Sequence, residues 1–351
     1  MTPIETARRI LERAIADRKF PAAYVDVGSS AGPLWSEAFG TLTFDNDSPR
    51  TSGATLFDLA SLTKPLATAT IFMELTRTGR VGLDDPVSRF FADWRSVDRE
   101  RVTIGDLLEH ASGLAARLVD APPSGRREFE HEIGRMRLES APRDKAIYSD
   151  LGFILLGFLA ADVSGAPLPD LFDRVVIPLD AGTRFNLPPE LRPLAAPTRP
   201  LAEDARRGRT LQGEVHDNYA AALGGAAGHA GLFGSARDVG VFARTMLRAA
   251  RGAADNPPPF RPETVERFTR RSRVPGSTRA LGWDTMLPTS SCGTQMSAAA
   301  FGHVGFTGTS LWIDPVRDRY FVLLTNRACG GGSLDDMRAV RRTFHDALAP
   351  L

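Results

Sequence analysis

Pro65 closes the stretch Phe57-Asp58-Leu59-Ala60-Ser61-Leu62-Thr63-Lys64-Pro65 and limits what that stretch can become. Proline has no amide proton to give to a helix interior, so it is tolerated only in or near a first turn, where that proton would lack an intrahelical partner. A helix must therefore open close to Ser61. Residues three apart share a helix face, which points Ser61 and Lys64 the same way, within reach of one hydrogen bond. The pair combines a nucleophile with a group that can take its proton. A helix N-terminus also presents free N–H groups, which favour negative charge as it builds on an attacked carbonyl oxygen.

The choice of basic residue adds weight. The chain carries 43 lysines and arginines, yet lysine occurs only at Lys19, Lys64 and Lys145. Arginine does not give up its proton in a protein, whereas a buried lysine can become neutral and accept one. A lysine three residues after a serine in such a chain suggests a base. Ser-x-x-Lys is also a pattern short enough to recur by accident, so the rest of the chain has to decide.

The chain is long enough, at 351 residues, to bury a large core in one large or two intergrown domains. A formal charge of +1, with both signs interspersed, gives no reason to expect nucleic acid or an acidic membrane surface as a partner. Cys292 and Cys329 are too few for a disulfide framework, and no Cys/His spacing suggests zinc, so neither metal nor cofactor is expected. Met1-Thr2-Pro3-Ile4-Glu5 leads into an arginine-rich amphipathic run rather than the apolar core of a secretory signal. No run of about 18 apolar residues exists to span a membrane. The expectation is a cytoplasmic protein acting on a small molecule or peptide, with its oligomeric state open.

Thr2 and Glu5 suit a capping box and Pro3 the first helical position, and Ile4, Ala7, Ile10, Leu11, Ala14 and Ile15 line one face of a first helix. Ala22 to Val27 and Leu34 to Leu42 read as strands, the second half-buried in an antiparallel sheet. The helix opened at Ser61 should run through Ile71, Phe72 and Leu75 and stop at Gly79. From about residue 80 to 210 few β-rich runs appear, and Asp84-Asp85-Pro86, Ser112-Gly113 and Pro122-Pro123 punctuate short helices and loops. The proline-rich tail of that segment, Leu187 to Pro200, reads as an extended linker or rim, and Arg206-Arg207-Gly208-Arg209 as a solvated face.

Leu223 to Gly234 is a run of glycines and alanines for tight turns, without the spacing of a phosphate loop. Asp238 to Ala250 is another amphipathic helix. Thr309 to Ile313 and Arg319 to Thr325 form a β-hairpin across Asp314-Pro315-Val316-Arg317-Asp318. The last helix presents Leu334, Met337, Val340, Phe344 and Leu348 and can pack beside the first. The fold class is thus α+β: an antiparallel sheet flanked by N- and C-terminal helices, built from residues 1–79 and 211–351. A mainly helical segment, 80–210, is inserted into it, and the site lies at their junction.

Two further stretches carry chemical groups. Tyr148-Ser149-Asp150 precedes the apolar run Leu151 to Ala160, which would bury a helix and hold the three residues at its start. A tyrosine near a lysine can serve as general base or proton shuttle; it can equally be a packed ring with its hydroxyl satisfied. His303-Val304-Gly305-Phe306-Thr307-Gly308-Thr309 leads into the hairpin. Glycine at 305 would let a substrate lie against an edge strand, the Phe306 amide could be a second oxyanion donor opposite that of Ser61, and His303 could orient a substrate carboxylate or the tyrosine hydroxyl. A histidine among glycines is also an ordinary turn residue.

Taken in order, Ser61-x-x-Lys64, Tyr148-Ser149-Asp150 and His303-Val304-Gly305 resemble the three signature elements of the serine β-lactamase and penicillin-binding superfamily. The resemblance is to its class C β-lactamase-like serine hydrolases, which include esterases, D-aminopeptidases and D,D-carboxypeptidases. It extends to Leu83-Asp84-Asp85-Pro86-Val87, to Leu107-Leu108-Glu109-His110-Ala111-Ser112-Gly113-Leu114 and to Gly228-His229-Ala230-Gly231-Leu232-Phe233, covering roughly residues 20 to 345. It implies that Ser61 forms an acyl-enzyme, that Lys64 and Tyr148 share the base role, and that the Ser61 and Phe306 amides bind the oxyanion.

This chain departs from the pattern at Asp150, where the family often has asparagine, and at His303 and Val304, where a β-lactamase commonly has lysine and threonine. An acceptor-only carboxylate at 150 could hold Lys64 positively charged or favour a cationic substrate group. The changes at 303 and 304 weaken recognition of an antibiotic carboxylate and point away from a dedicated β-lactamase. A hydrolase of peptides, D-amino-acid amides, muropeptides or small esters fits better, and His216-Asp217-x-Tyr219 loosely resembles a branch of muropeptide amidases. The alternative is an inactive relative that binds peptide or cell-wall fragments.

Overall fold

The structure is a computed structural model and describes residues 1–119 and 122–351. The chain begins with α1 (Pro3–Ala16), whose Thr2/Glu5 capping box satisfies its first amides, and then lays down β1 (Ala22–Ser29) and β2 (Gly32–Gly40). A two-residue strand, β3 (Phe57–Asp58), leads into the Ser61 turn and on to α2 (Thr70–Arg77), which ends at left-handed Gly79. Next come α3 (Ile104–Leu108), α4 (Arg126–Arg135), α5 (Asp150–Ser164), α6 (Leu168–Val176) and the short β4 (Arg184–Phe185). The chain returns through α7 (Asn218–Ala222), β5 (Leu232–Gly234), α8 (Ala236–Ala250) and α9 (Pro262–Thr269). It closes with β6 (Asp284–Thr285), β7 (Phe301–Val304), β8 (Ser310–Asp314), β9 (Arg319–Thr325) and α10 (Leu334–Leu348).

Six of the strands form one antiparallel sheet in the order β2-β1-β9-β8-β7-β6, all drawn from the two ends of the chain. Alternation along β1 and β9 sends Ala23, Val25, Val27, Phe321 and Leu323 to one face, where α1 and α10 cover them with Leu11, Ala14, Phe344 and Leu348. Tyr24, Val322 and Leu324 go to the other face, against Val239, Phe242 and Met246 of α8. Helices on both faces explain why β1 and β9 are apolar almost throughout, whereas edge strand β2 buries only Trp35 and Phe39. In the last helix, Met337, Val340, Phe344 and Leu348 are buried as expected, but Leu334 is exposed because it occupies the first turn, beyond the reach of α1.

The helical segment owes its core to α5, whose uninterrupted apolar sequence is buried on nearly every side. Among the described residues no single helix is long and apolar enough to cross a membrane. Two local expectations change. The Ser61 helix does not start as α-helix: Ala60–Leu62 is a single 3₁₀ turn and Lys64–Ala69 is wound as π-helix before α2 begins. Widened turns of this kind are frequent at functional sites. The glycine-rich stretch contains regular structure after all, since β5 pairs with β3 and β4 in a second, three-stranded sheet.

Because Phe344 is fully buried between α1 and the sheet, Phe344→Ala should destabilise the protein by about 3–5 kcal/mol. Denaturant unfolding measures this, and an unchanged midpoint would contradict the packing described.

Candidate active site

Ser61 sits on a strained turn. Ala60, the residue before it, has φ of +48°, a left-handed conformation that costs an alanine roughly 1 kcal/mol or more. The surroundings enforce it. The Asp58 carboxylate accepts the Ala60 amide at 2.8 Å and the His216 amide at 2.6 Å. Burial pushes that carboxyl up to about 6 against the pull of the two amides. The Thr307 hydroxyl donates to the Asp58 carbonyl at 2.7 Å and the Thr309 hydroxyl to the Leu59 carbonyl at 3.0 Å, tying the serine turn to the segment between β7 and β8.

Gly305 is part of the same junction. A Cβ there would stand 2.1 Å from Thr309 Oγ1 and 2.6 Å from the Leu59 carbonyl, so the glycine also lets two segments of the chain approach each other closely. Phe306, next along, reaches the cavity, and its amide donates to no protein acceptor among the described residues.

Lys64 is fully buried behind the serine. Its Nζ lies 3.0 Å from Ser61 Oγ, 2.8 Å from Asp150 Oδ1 and 3.3 Å from the His229 carbonyl. Three acceptors match the three protons of an ammonium. Burial alone pushes the amine down, but Asp150, with Tyr148, more than offsets this, and Lys64 ends above its ordinary value of 10.5. The resting site therefore holds a charged lysine rather than the neutral amine expected of a base. Asp150 is pushed up by burial and pulled down further by Lys64, ending below its ordinary 3.8. By linkage, the pair stabilises the fold fully between those two ordinary values. That contribution is lost as pH falls through the lowered carboxyl or rises through the raised amine.

The charges continue outward. Arg117 Nη1 bridges Asp150 Oδ2 at 2.9 Å and Asp217 Oδ2 at 2.8 Å, its guanidinium lies over the Tyr219 ring, and Asp217 Oδ1 meets His229 Nε2 at 2.7 Å. Asp150, Asp217 and His229 bring ligand atoms within 4.8 Å of one another, close enough to suggest a cation. Arg117 and Lys64 already stand against those carboxylates, so the charge a metal would bring is supplied by the chain itself. Nothing in the sequence singles out Arg117, one arginine among many in a loop; Asp217 and His229 lie in stretches matched by the family but carry no distinctive spacing of their own.

Tyr148 stands beside this chain of charges. Its ring is 4.7 Å from Lys64 Nζ and 4.9 Å from the Arg279 guanidinium carbon, and it packs against the His110 and His303 rings at 4.6 and 5.8 Å. Burial and the neighbouring cations hold both histidines well below the usual imidazole range, hence neutral. His303 donates from Nδ1 to the Val304 carbonyl, is buried, and does not line the cavity. It braces the tyrosine ring; it cannot meet a substrate carboxylate as a cation.

Ser61, Tyr148, Asp150, Arg117 and Phe306 face a cavity of about 640 Å³ whose far wall includes Leu201 and Glu203. Arg206 is not the free surface residue expected. It pairs with Asp204 and donates to the Val215 and His216 carbonyls, pinning the cavity rim. A serine on a strained turn, backed by a lysine and a tyrosine where an antiparallel sheet meets a helical cluster, defines a hydrolase that works through an active-site serine.

Proteins of similar sequence and fold agree with that class. The chain belongs to the Beta-lactamase family, whose model matches residues 7–343. A "Putative D-alanyl-D-alanine carboxypeptidase" of Escherichia coli (strain K12) is 34% identical over 320 residues, covering 82% of this chain and 72% of that protein. Among solved structures, EstCE1, a hydrolase with promiscuous acyltransferase activity, superposes with a TM-score of 0.77 at 20% identity, covering 99% of this chain and 98% of its own. The D-alanine carboxypeptidase AmpC from Burkholderia cenocepacia gives 0.76 at 18% identity over 99% of both chains. These last two likenesses speak for the fold.

Gly305→Ala should cut the rate of Ser61 labelling by a fluorophosphonate at least about tenfold, because the added carbon forces the Phe306 segment away from the serine turn. Labelling at the wild-type rate would show that the junction gives way without consequence.

Proposed function

We propose that Ser61 attacks the carbonyl of an amide or ester and forms an acyl-enzyme that water then releases. The observation that carries this is Lys64 Nζ at 3.0 Å from a serine hydroxyl on the wall of an open cavity. The serine proton passes to Lys64 in the fraction of molecules whose amine has first lost one of its own, and Tyr148, its ring 4.7 Å from Nζ, shares the base role beside it. The Ser61 and Phe306 amides hold the oxyanion, and loss of one such donor costs other enzymes about 3–4 kcal/mol. A pure binder has no use for a buried amine beside a reachable hydroxyl, so catalysis is the better reading.

The carboxypeptidase named among the relatives supports a peptide amide as substrate. The cavity argues for one without a free carboxylate at the His303 position, where this chain supplies a neutral, buried ring in place of a cation. Arg117 is already met by two carboxylates and Glu203 adds another on the wall, so the lining favours neutral or cationic acyl groups. Esters, D-amino-acid amides and muropeptides fit this reading better than penicillins.

A fluorophosphonate probe followed by peptide mass spectrometry should label Ser61 in the wild type and lose that label in Ser61→Ala; an unlabelled wild type would favour the binder. Lys64→Arg should nearly abolish labelling, since a guanidinium cannot accept the proton. Retention of most of the rate would reject the base.

Asp150 stabilises the protonated form of Lys64, so the labelling rate should rise with pH as that amine loses its proton. Asp150→Asn removes that stabilisation and should move the limb to lower pH by about 1–3 units. A limb that stays in place would separate Asp150 from the proton inventory.

A further inference from the structure

Arg341, on α10, is 5% exposed, and no carboxylate among the described residues pairs with it. Its Nη2 donates to the Gly305 carbonyl at 2.9 Å and the Thr309 carbonyl at 2.8 Å, while its Nε has no partner. Burial, aggravated by the Arg327 cation, pushes the guanidinium down to about 9. Keeping an uncompensated cation in the interior is costly, and two carbonyls could be satisfied by neutral donors. The charge itself therefore asks for an explanation.

The explanation lies in which carbonyl it holds. The Gly305 C=O and the Phe306 N–H are two ends of one peptide unit. A cation hydrogen-bonded to the carbonyl end draws electron density toward it and makes the N–H at the other end a stronger donor. The peptide on the other side of Phe306 is held in the same manner. Arg327 donates to the Phe306 carbonyl from Nη2 at 2.6 Å and lies 4.6 Å from the centre of the Phe306 ring, again without a carboxylate among the described residues. Two guanidinium groups thus fix the orientation of the segment that offers the Phe306 amide to the cavity.

We propose that Arg341 is a positioning residue for acyl transfer, which locks and polarises the Gly305–Phe306 peptide so that its N–H stabilises the oxyanion. This rests on the reading of the Phe306 amide as an oxyanion donor. The role is electrostatic as well as geometric: fixed positive charge behind the peptide adds to the potential felt by negative charge as it develops at the attacked carbonyl, and requires no reorganisation when it does.

The test compares wild type, Arg341→Lys, Arg341→Gln and Phe306→Pro, the last of which removes the amide proton. The readouts are the second-order rate of fluorophosphonate labelling at Ser61, kcat and KM for 4-nitrophenyl butyrate, and the melting temperature. Arg341→Gln should label about 10- to 100-fold more slowly and lose kcat in step, with KM changed less than about threefold. Arg341→Lys, which keeps the charge, should fall between Arg341→Gln and wild type. Should the glutamine variant not fold, Arg341→Met replaces the buried cation by an apolar chain of similar length and serves in its place.

A folded neutral variant that labels at the wild-type rate while Phe306→Pro is slow overturns the proposal and leaves the oxyanion reading intact. Phe306→Pro at the wild-type rate overturns the oxyanion reading, and the proposal with it. A neutral variant as active as Arg341→Lys overturns the electrostatic role.

Discussion

The buried contact between Lys64 and Asp150 is the interaction on which the site's chemistry depends. Removing an ammonium and a carboxylate from water is expensive, and the cost is met only if each keeps good partners after burial. Here Lys64 meets Asp150, Ser61 and the His229 carbonyl, and Asp150 meets Lys64 on one oxygen and Arg117 on the other. Arg117 in turn needs Asp217, and Asp217 meets His229. Lys64 is tolerable in the interior only because Asp150 is present, and the half-exposed Arg117 links Asp150 to Asp217. The network therefore fixes α5, the loop carrying Arg117, α7 and the glycine-rich stretch against the nucleophile. Asp150 also sets the proton balance, keeping the lysine charged at rest.

A second constraint acts on the backbone. Ala60 in a left-handed conformation stores strain at the residue before the nucleophile, and such strain persists only where the surroundings over-determine it. Asp58 supplies one hold through the Ala60 amide, and Thr307 and Thr309 supply two more from the far end of the chain. The close approach at Gly305 completes the junction. The two amides read as oxyanion donors thus belong to segments nearly 250 residues apart that are held as one rigid piece. That arrangement suits acyl transfer, in which misplacement by an ångström can cost about a hundredfold in rate.

The two layers divide the labour. The six-stranded sheet, with α1 and α10 on one face and α8 on the other, carries the Gly305–Thr309 segment, and the serine turn, which follows β3 of the three-stranded sheet, is tied to that segment by Thr307 and Thr309. The helical cluster delivers Tyr148, Asp150 and Arg117 from the other side, and with the loops around 201–204 shapes the cavity.

Sequence alone determined the parts that are local or periodic. The capping box of α1, the alternation of the strands, the hairpin between β8 and β9 and the apolar α5 each follow from residues within one element, as does the orientation of Ser61 and Lys64 fixed by Pro65. The ordered motifs at 61–64, 148–150 and 303–305 were enough to point to the family. What only the tertiary structure decided are relations between distant segments. Lys64 is charged because a carboxylate 86 residues away reaches it, and Gly305 is needed where the Leu59 and Thr309 segments of the chain come together. His303 is a neutral brace because burial strips its charge, and Arg117, Asp217, His229 and Arg341 matter through partners that no spacing in the chain announces. The physical reason is that ionisation and steric exclusion depend on the sum of everything within a few ångströms, and a linear sequence does not list those neighbours.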